Sequence, residues 1–123
     1  MTSLIRTITF DCADPGVVGR FWAAVTGRDL DFAPGDPEAV IEGGDGVPHL
    51  LFLPVPEGKT VKNRVHLDLQ PSDRGRDAEV VRLEGLGATI VDDRRNPDGT
   101  GFVVMTDPEG NELCVERSAE ERA

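Results

Sequence analysis

From Ile8 onward the first stretch of the chain alternates, with Ile8, Phe10 and Cys12 on one side and Thr7, Thr9 and Asp11 on the other. A period of two predicts a half-buried β-strand. Asp14 and Pro15 then supply an N-cap and a first helical residue that needs no N–H partner. Val18, Phe21, Trp22 and Val25 recur at helical spacing up to Gly27, which predicts an amphipathic helix with a glycine stop. Residues 28–32, 39–42 and 49–55 are three further short strand candidates, separated by the turn-forming runs at 33–37 and 43–46.

The same order recurs in the second half. Residues 65–70 alternate, Ser72 and Asp73 offer a cap for a helix carrying Ala78, Val81, Leu83 and Leu86, and Gly85 and Gly87 flank its end. Residues 89–92, 102–106 and 112–116 read as strands, joined by Asn96-Pro97-Asp98-Gly99 and Asp107-Pro108-Glu109-Gly110-Asn111. Two successive β-α-β-β-β modules are the simplest description, about 4–57 and about 62–117. Together they form a single α+β domain over 1–123 whose two modules share one core.

Composition changes this picture in one respect. The 123 residues have the length of one domain, and 38% hydrophobic with 29% charged residues is ordinary for a globular chain. The net charge of −10, however, repels phosphate backbones and anionic lipid, so nucleic acid and membrane surfaces are excluded as expected partners. Residues 1–61 carry 4 basic and 9 acidic side chains and residues 62–123 carry 9 and 14, so each half nets −5. No signal-like or membrane-spanning run is visible, and the expected location is cytoplasmic. Cys12 and Cys114 form no metal or redox spacing and read as free thiols.

The duplicated order, Asp14 followed by Phe21-Trp22 and Gly27, the segment from Lys59 to Leu69, and Asp107-Pro108-Glu109-Gly110-Asn111-Glu112-Leu113-Cys114-Val115 together resemble the vicinal oxygen chelate superfamily. The resemblance covers residues 4–117 and points to its glyoxalase-like members, relatives of glyoxalase I, bleomycin-resistance proteins and extradiol dioxygenases. It implies curled mixed sheets whose concave faces bind a small molecule, and a homodimer. It also implies a metal held by one His or Glu from the first and last strand of each module. Carried over, those positions are Thr7, His66, Cys114 and one residue within Leu50-Leu51-Phe52-Leu53. Only His66 is an ordinary ligand, so no full metal site and no cofactor are expected; a divalent metal is the alternative.

Strand alternation is more specific than the motif. If Leu67 and Leu69 pack under a helix, His66 and Asp68 face away from it; by the same parity Glu112, Cys114 and Glu116 oppose Leu113 and Val115. Thr7, Thr9, His66, Asp68, Glu112 and Cys114 then line a polar cup, with His66, Asp68 and Glu112 as the catalytic candidates. An imidazole beside a carboxylate is suited to proton transfer next to a carbonyl without metal. The competing reading is a histidine merely satisfied by Asp68 or Thr7. Cys114 lacks the electropositive neighbour a nucleophilic thiolate needs, and reads as a small cup residue. Lys59, Lys62 and Arg64 are either a rim for an anion or a solvated connection.

The leading expectation is a glyoxalase-like protein that binds a small organic molecule in this polar cup, with or without acid–base chemistry at His66. The alternatives are a divalent-metal-dependent lyase or dioxygenase and a non-catalytic sequestering protein of the antibiotic-resistance type. An aromatic-lined drug site would require Phe32, Phe52 or Phe102 to turn inward. A cup rich in carboxylates favours neutral or cationic ligands.

Overall fold

The computed structural model describes residues 1–123. It contains two compact units, Met1–Lys59 and Thr60–Ala123, each an open, curled, mixed sheet with a helix.

In the first unit β1 (Thr7–Cys12) leads into α1 (Pro15–Thr26), followed by β2 (Ala39–Ile41) and β3 (His49–Pro54). The sheet order is β1-β3-β2, with β1 parallel and β2 antiparallel to β3. The expected cap forms: Asp14 Oδ1 accepts the N–H groups of Gly16 and Val17 at 3.1 and 3.2 Å. Val18, Phe21 and Trp22 are buried, and Trp22 lies 5.1 Å from the Phe10 ring and 5.6 Å from that of Phe21. Gly19 lets α1 lie close against Leu30 and Ala39, since a Cβ there would stand 2.9 Å from Leu30 Cδ1 and 3.3 Å from Ala39 Cβ. The strand expected at 28–32 is reduced to a single bridge in which Asp31 and Val40 exchange backbone hydrogen bonds. The connection that follows carries Pro34 and Pro37, which have no N–H to extend a ladder.

The second unit repeats the connectivity with one strand more. Its elements are β4 (Leu67–Leu69), α2 (Arg76–Leu86), β5 (Thr89–Arg95), β6 (Gly101–Thr106), β7 (Glu112–Val115) and the short α3 (Ala119–Arg122). The order is β4-β7-β6-β5, and again the unit's first strand runs parallel to its last. Val80 and Leu83 of α2, Val103 and Met105 of β6, and Leu113 and Val115 of β7 form the buried apolar core.

Helix α2 departs from expectation at its start and along its face. Neither Ser72 nor Asp73 caps it, because Asp73 is paired with Arg74 at 3.0 Å. The N-cap is Gly75, and the Arg76 N–H is instead taken by Glu121 Oε1 at 2.7 Å. The buried positions are Arg76, Glu79, Val80 and Leu83, whereas Ala78 and Val81 are exposed. Two charged residues are tolerated inside because each is satisfied. Arg76 Nη1 donates to the carbonyls of Gly99, Thr100 and Gly101 at 3.2, 2.9 and 3.0 Å, and Glu79 receives Arg82 and Arg74.

Candidate functional site

The site residues of the second unit are placed by β4 and β7. His66 immediately precedes β4, Asp68 is its central residue, and Cys114 stands directly opposite Asp68 in the parallel register. The period of two turns the half-buried Leu67 and Leu69 to one face and leaves His66, Asp68 and Cys114 on the other. His66 Nδ1 lies 3.0 Å from Asp68 Oδ1 and 3.7 Å from Cys114 Sγ. The His66 and Asp68 side chains are 41% and 49% exposed, whereas Cys114 is buried.

Burial pushes the Cys114 thiol up to about 11, and the negative charge and hydrogen bond of Asp68 and the charge of Glu116 act in the same direction against a weaker pull from Lys62. At neutral pH it is a neutral thiol and not the thiolate that a nucleophile needs.

These three residues open onto a cavity of about 340 Å³. Phe102 and Gly101 of β6 line it, as do Glu116, Arg117 and Arg122. Phe102 is there because Val103 and Met105 face the core, which turns its ring to the opposite side. Gly101 makes the bend possible: its φ is +94°, and a Cβ would meet Arg94 O at 2.0 Å. Glu116 does not simply reach solvent but pairs with Arg122. The two arginines offset Asp68 and Glu116 in formal charge, so the cavity is not the carboxylate-dominated cup expected from the strands alone.

The remaining expected site residues do not line this cavity. Glu112 gives its carboxylate to Lys62 Nζ and, at 2.9 Å, to the Asn63 N–H, fastening the connection that enters β4. Lys62 is thereby engaged within that connection. Thr7 and Thr9 sit on the exposed face of β1 in the first unit, opposite His49 and Leu51. By the repeat of register, Leu51 is the counterpart of Cys114 and offers no donor atom. His49 accepts the Gly43 N–H on Nδ1 at 2.9 Å and holds a turn. Phe102 was accessible to strand parity on β6; Arg117 and Arg122 follow the last strand and had no pattern to reveal them.

A family model described as a glyoxalase-like domain matches residues 7–116. A search of curated proteins finds no match. Among solved structures the chain is similar to a mutant of the fosfomycin resistance protein FosX from Listeria monocytogenes, complexed with Mn(II) and 1S,2S-dihydroxypropylphosphonic acid. The TM-score is 0.70 at 15% identity, over 99% of this chain and 95% of that one. A glyoxalase/bleomycin resistance protein/dioxygenase family enzyme from Burkholderia phytofirmans PsJN gives a TM-score of 0.68 at 16% identity, over 92% and 97%. Lactoylglutathione lyase from Agrobacterium tumefaciens gives 0.62 at 18%, over 98% and 96%. At these identities the likeness is one of fold.

Proposed function

The chain belongs to the glyoxalase-like domain family, and we propose that the cavity of its second unit binds a small organic molecule on which His66 performs metal-independent acid–base chemistry. The observation that carries this reading is His66 Nδ1 held 3.0 Å from Asp68 Oδ1 at the wall of the cavity. A carboxylate that accepts the Nδ1–H leaves Nε2 as the proton acceptor and stabilises the imidazolium that follows. Such a pair is suited to removing a proton next to a carbonyl and returning it. Cys114 stays a neutral thiol beside it.

A ligand screen read by thermal shift, followed by His66→Gln, tests the proposal. Binding retained and turnover lost in the variant supports it. Turnover unaffected by His66→Gln overturns the chemistry, and absence of any binder overturns the site. Ligand binding without turnover in the natural protein would leave a sequestering protein, the reading that the Phe102 ring in the cavity favours.

A divalent-metal-dependent lyase or dioxygenase is the second reading. It is favoured by the donor atoms of His66, Asp68 and Cys114, which all lie within 4.8 Å of one another. One nitrogen, one oxygen and one sulfur donor form a set that fits zinc with an open fourth position. A bound cation would supply Lewis-acid polarisation of a substrate oxygen. Stoichiometric metal lost in both His66→Ala and Cys114→Ser supports this reading; metal-free protein after growth in supplemented medium overturns it.

As partners we propose a small-molecule ligand and a second copy of the chain, the latter checked by sedimentation equilibrium. No helix is long and apolar enough to cross a membrane.

A further inference from the structure

We infer that the ligand of this cavity is a small monoanion: a carboxylate anchored by Arg117, an apolar body against Phe102, and a hydrogen-bond donor such as a hydroxyl turned to His66 and Asp68. The inference rests on the binding reading above and specifies its ligand class.

Arg117 stands apart from the other charges of the cavity. Arg122 is committed to Glu116, whereas Arg117 makes no hydrogen bond or ion pair of its own. The carboxylate whose field it shares, Asp98, is already engaged by the Thr100 N–H at 3.0 Å and by Thr100 Oγ1 at 2.6 Å. A guanidinium at a cavity wall with its donors uncommitted matches the planar geometry of a carboxylate.

The opposite requirement holds at His66 and Asp68. An ionised Asp68 is an acceptor only, and His66 with its Nδ1–H given to Asp68 presents Nε2 as a second acceptor. The part of the ligand that meets them must therefore donate. Phe102, 40% exposed, offers the apolar surface of the same cavity. A volume of about 340 Å³ lies at the small end for ligand sites, which limits the body to a single ring or a short branched chain. A hydroxy acid with such a body offers a partner to Arg117, to Phe102 and to the His66–Asp68 pair.

Mandelate, mandelamide and 1-phenyl-1,2-ethanediol share ring and hydroxyl and differ in charge; phenylacetate keeps the charge and lacks the hydroxyl. Titration of the intact protein with each, followed by amide chemical shifts of Phe102 and Cys114 at low salt, should show mandelate binding about tenfold or more tightly than its neutral analogues. Phenylacetate should fall below mandelate. Arg117→Gln should abolish the preference for the anion while leaving mandelamide binding within about twofold, Arg117→Lys should keep part of it, and about 0.5 M salt should weaken it. Equal binding of mandelamide and mandelate, a preference that survives Arg117→Gln, or no perturbation by any of the four overturns the anion anchor. The underlying binding reading fails separately, when no member of a mixed neutral, cationic and anionic fragment library binds.

Discussion

Asp68 stands directly opposite Cys114 in the parallel pairing of β4 with β7, and the same carboxylate holds His66 Nδ1 at 3.0 Å. One carboxylate therefore orients the imidazole and suppresses ionisation of the thiol.

The first consequence concerns thiol reactivity. With its thiol pushed up to about 11 by burial and then by Asp68, Cys114 should be nearly inert to iodoacetamide at pH 7. In Asp68→Asn the midpoint of the pH–rate profile should move down, since a nearby negative charge has gone. An unchanged midpoint would show that burial alone governs the thiol.

Alkaline stability follows from the same group. The folded-state value is raised above the unfolded one, so its contribution is fully present below pH 9, near the unfolded value, and is lost as pH rises through about 11. The loss should be on the order of 2 kcal/mol. Urea unfolding across that window should show a steeper decline for the natural protein than for Cys114→Ser.

Arg76 is buried and serves three carbonyls of the β5–β6 turn, which leads directly to Phe102. Arg76→Met should cost about 3 kcal/mol in chemical denaturation, because three carbonyls and Asp77 lose a donor together. The Gly101 and Phe102 amide resonances should shift in the folded fraction. A cost below about 1 kcal/mol would mean that water replaces the guanidinium without penalty.

Glu121 caps two helix starts, accepting the Ser118 N–H at 2.8 Å and the Arg76 N–H at 2.7 Å. The Ser118 and then the Arg76 backbone N–H hold its carboxyl below the usual range. Its contribution is thus present above about pH 4.5 and lost as pH falls through the lowered value. Glu121→Ala should cost about 1–2 kcal/mol near neutrality, speed hydrogen exchange of the Arg76 amide, and flatten the acid limb of the stability profile.

Gly101 couples backbone conformation to the cavity. Gly101→Ala places a Cβ against Arg94 O at a left-handed φ, and should lower stability by about 3 kcal/mol or more. Thermal unfolding checks this directly, with Gly58→Ala, where a Cβ meets nothing, as the control.

The local patterns of the sequence determined the elements and their order, apart from the strand expected at 28–32, which is only a bridge. Alternation in residues 7–12 and 67–69, the Asp14 cap, the Gly27 and Gly87 stops and the doubled order of strands and helix are all properties of neighbours along the chain. Backbone geometry turns such properties into structure without distant help. Parity also placed His66, Asp68 and Cys114 on one face, because a strand's period leaves no other choice. The tertiary structure decided what depends on partners far away in the chain. The inner face of α2 carries Arg76 and Glu79 because carbonyls at 99–101 and arginines at 74 and 82 satisfy them. Its first N–H is capped from residue 121, and Glu112 is drawn to Lys62 and Asn63 instead of the cavity. Arg117 and Arg122 join the site from beyond its last strand. A buried charge is set by whichever group the fold brings within hydrogen-bond reach, and no periodicity along the chain encodes that meeting.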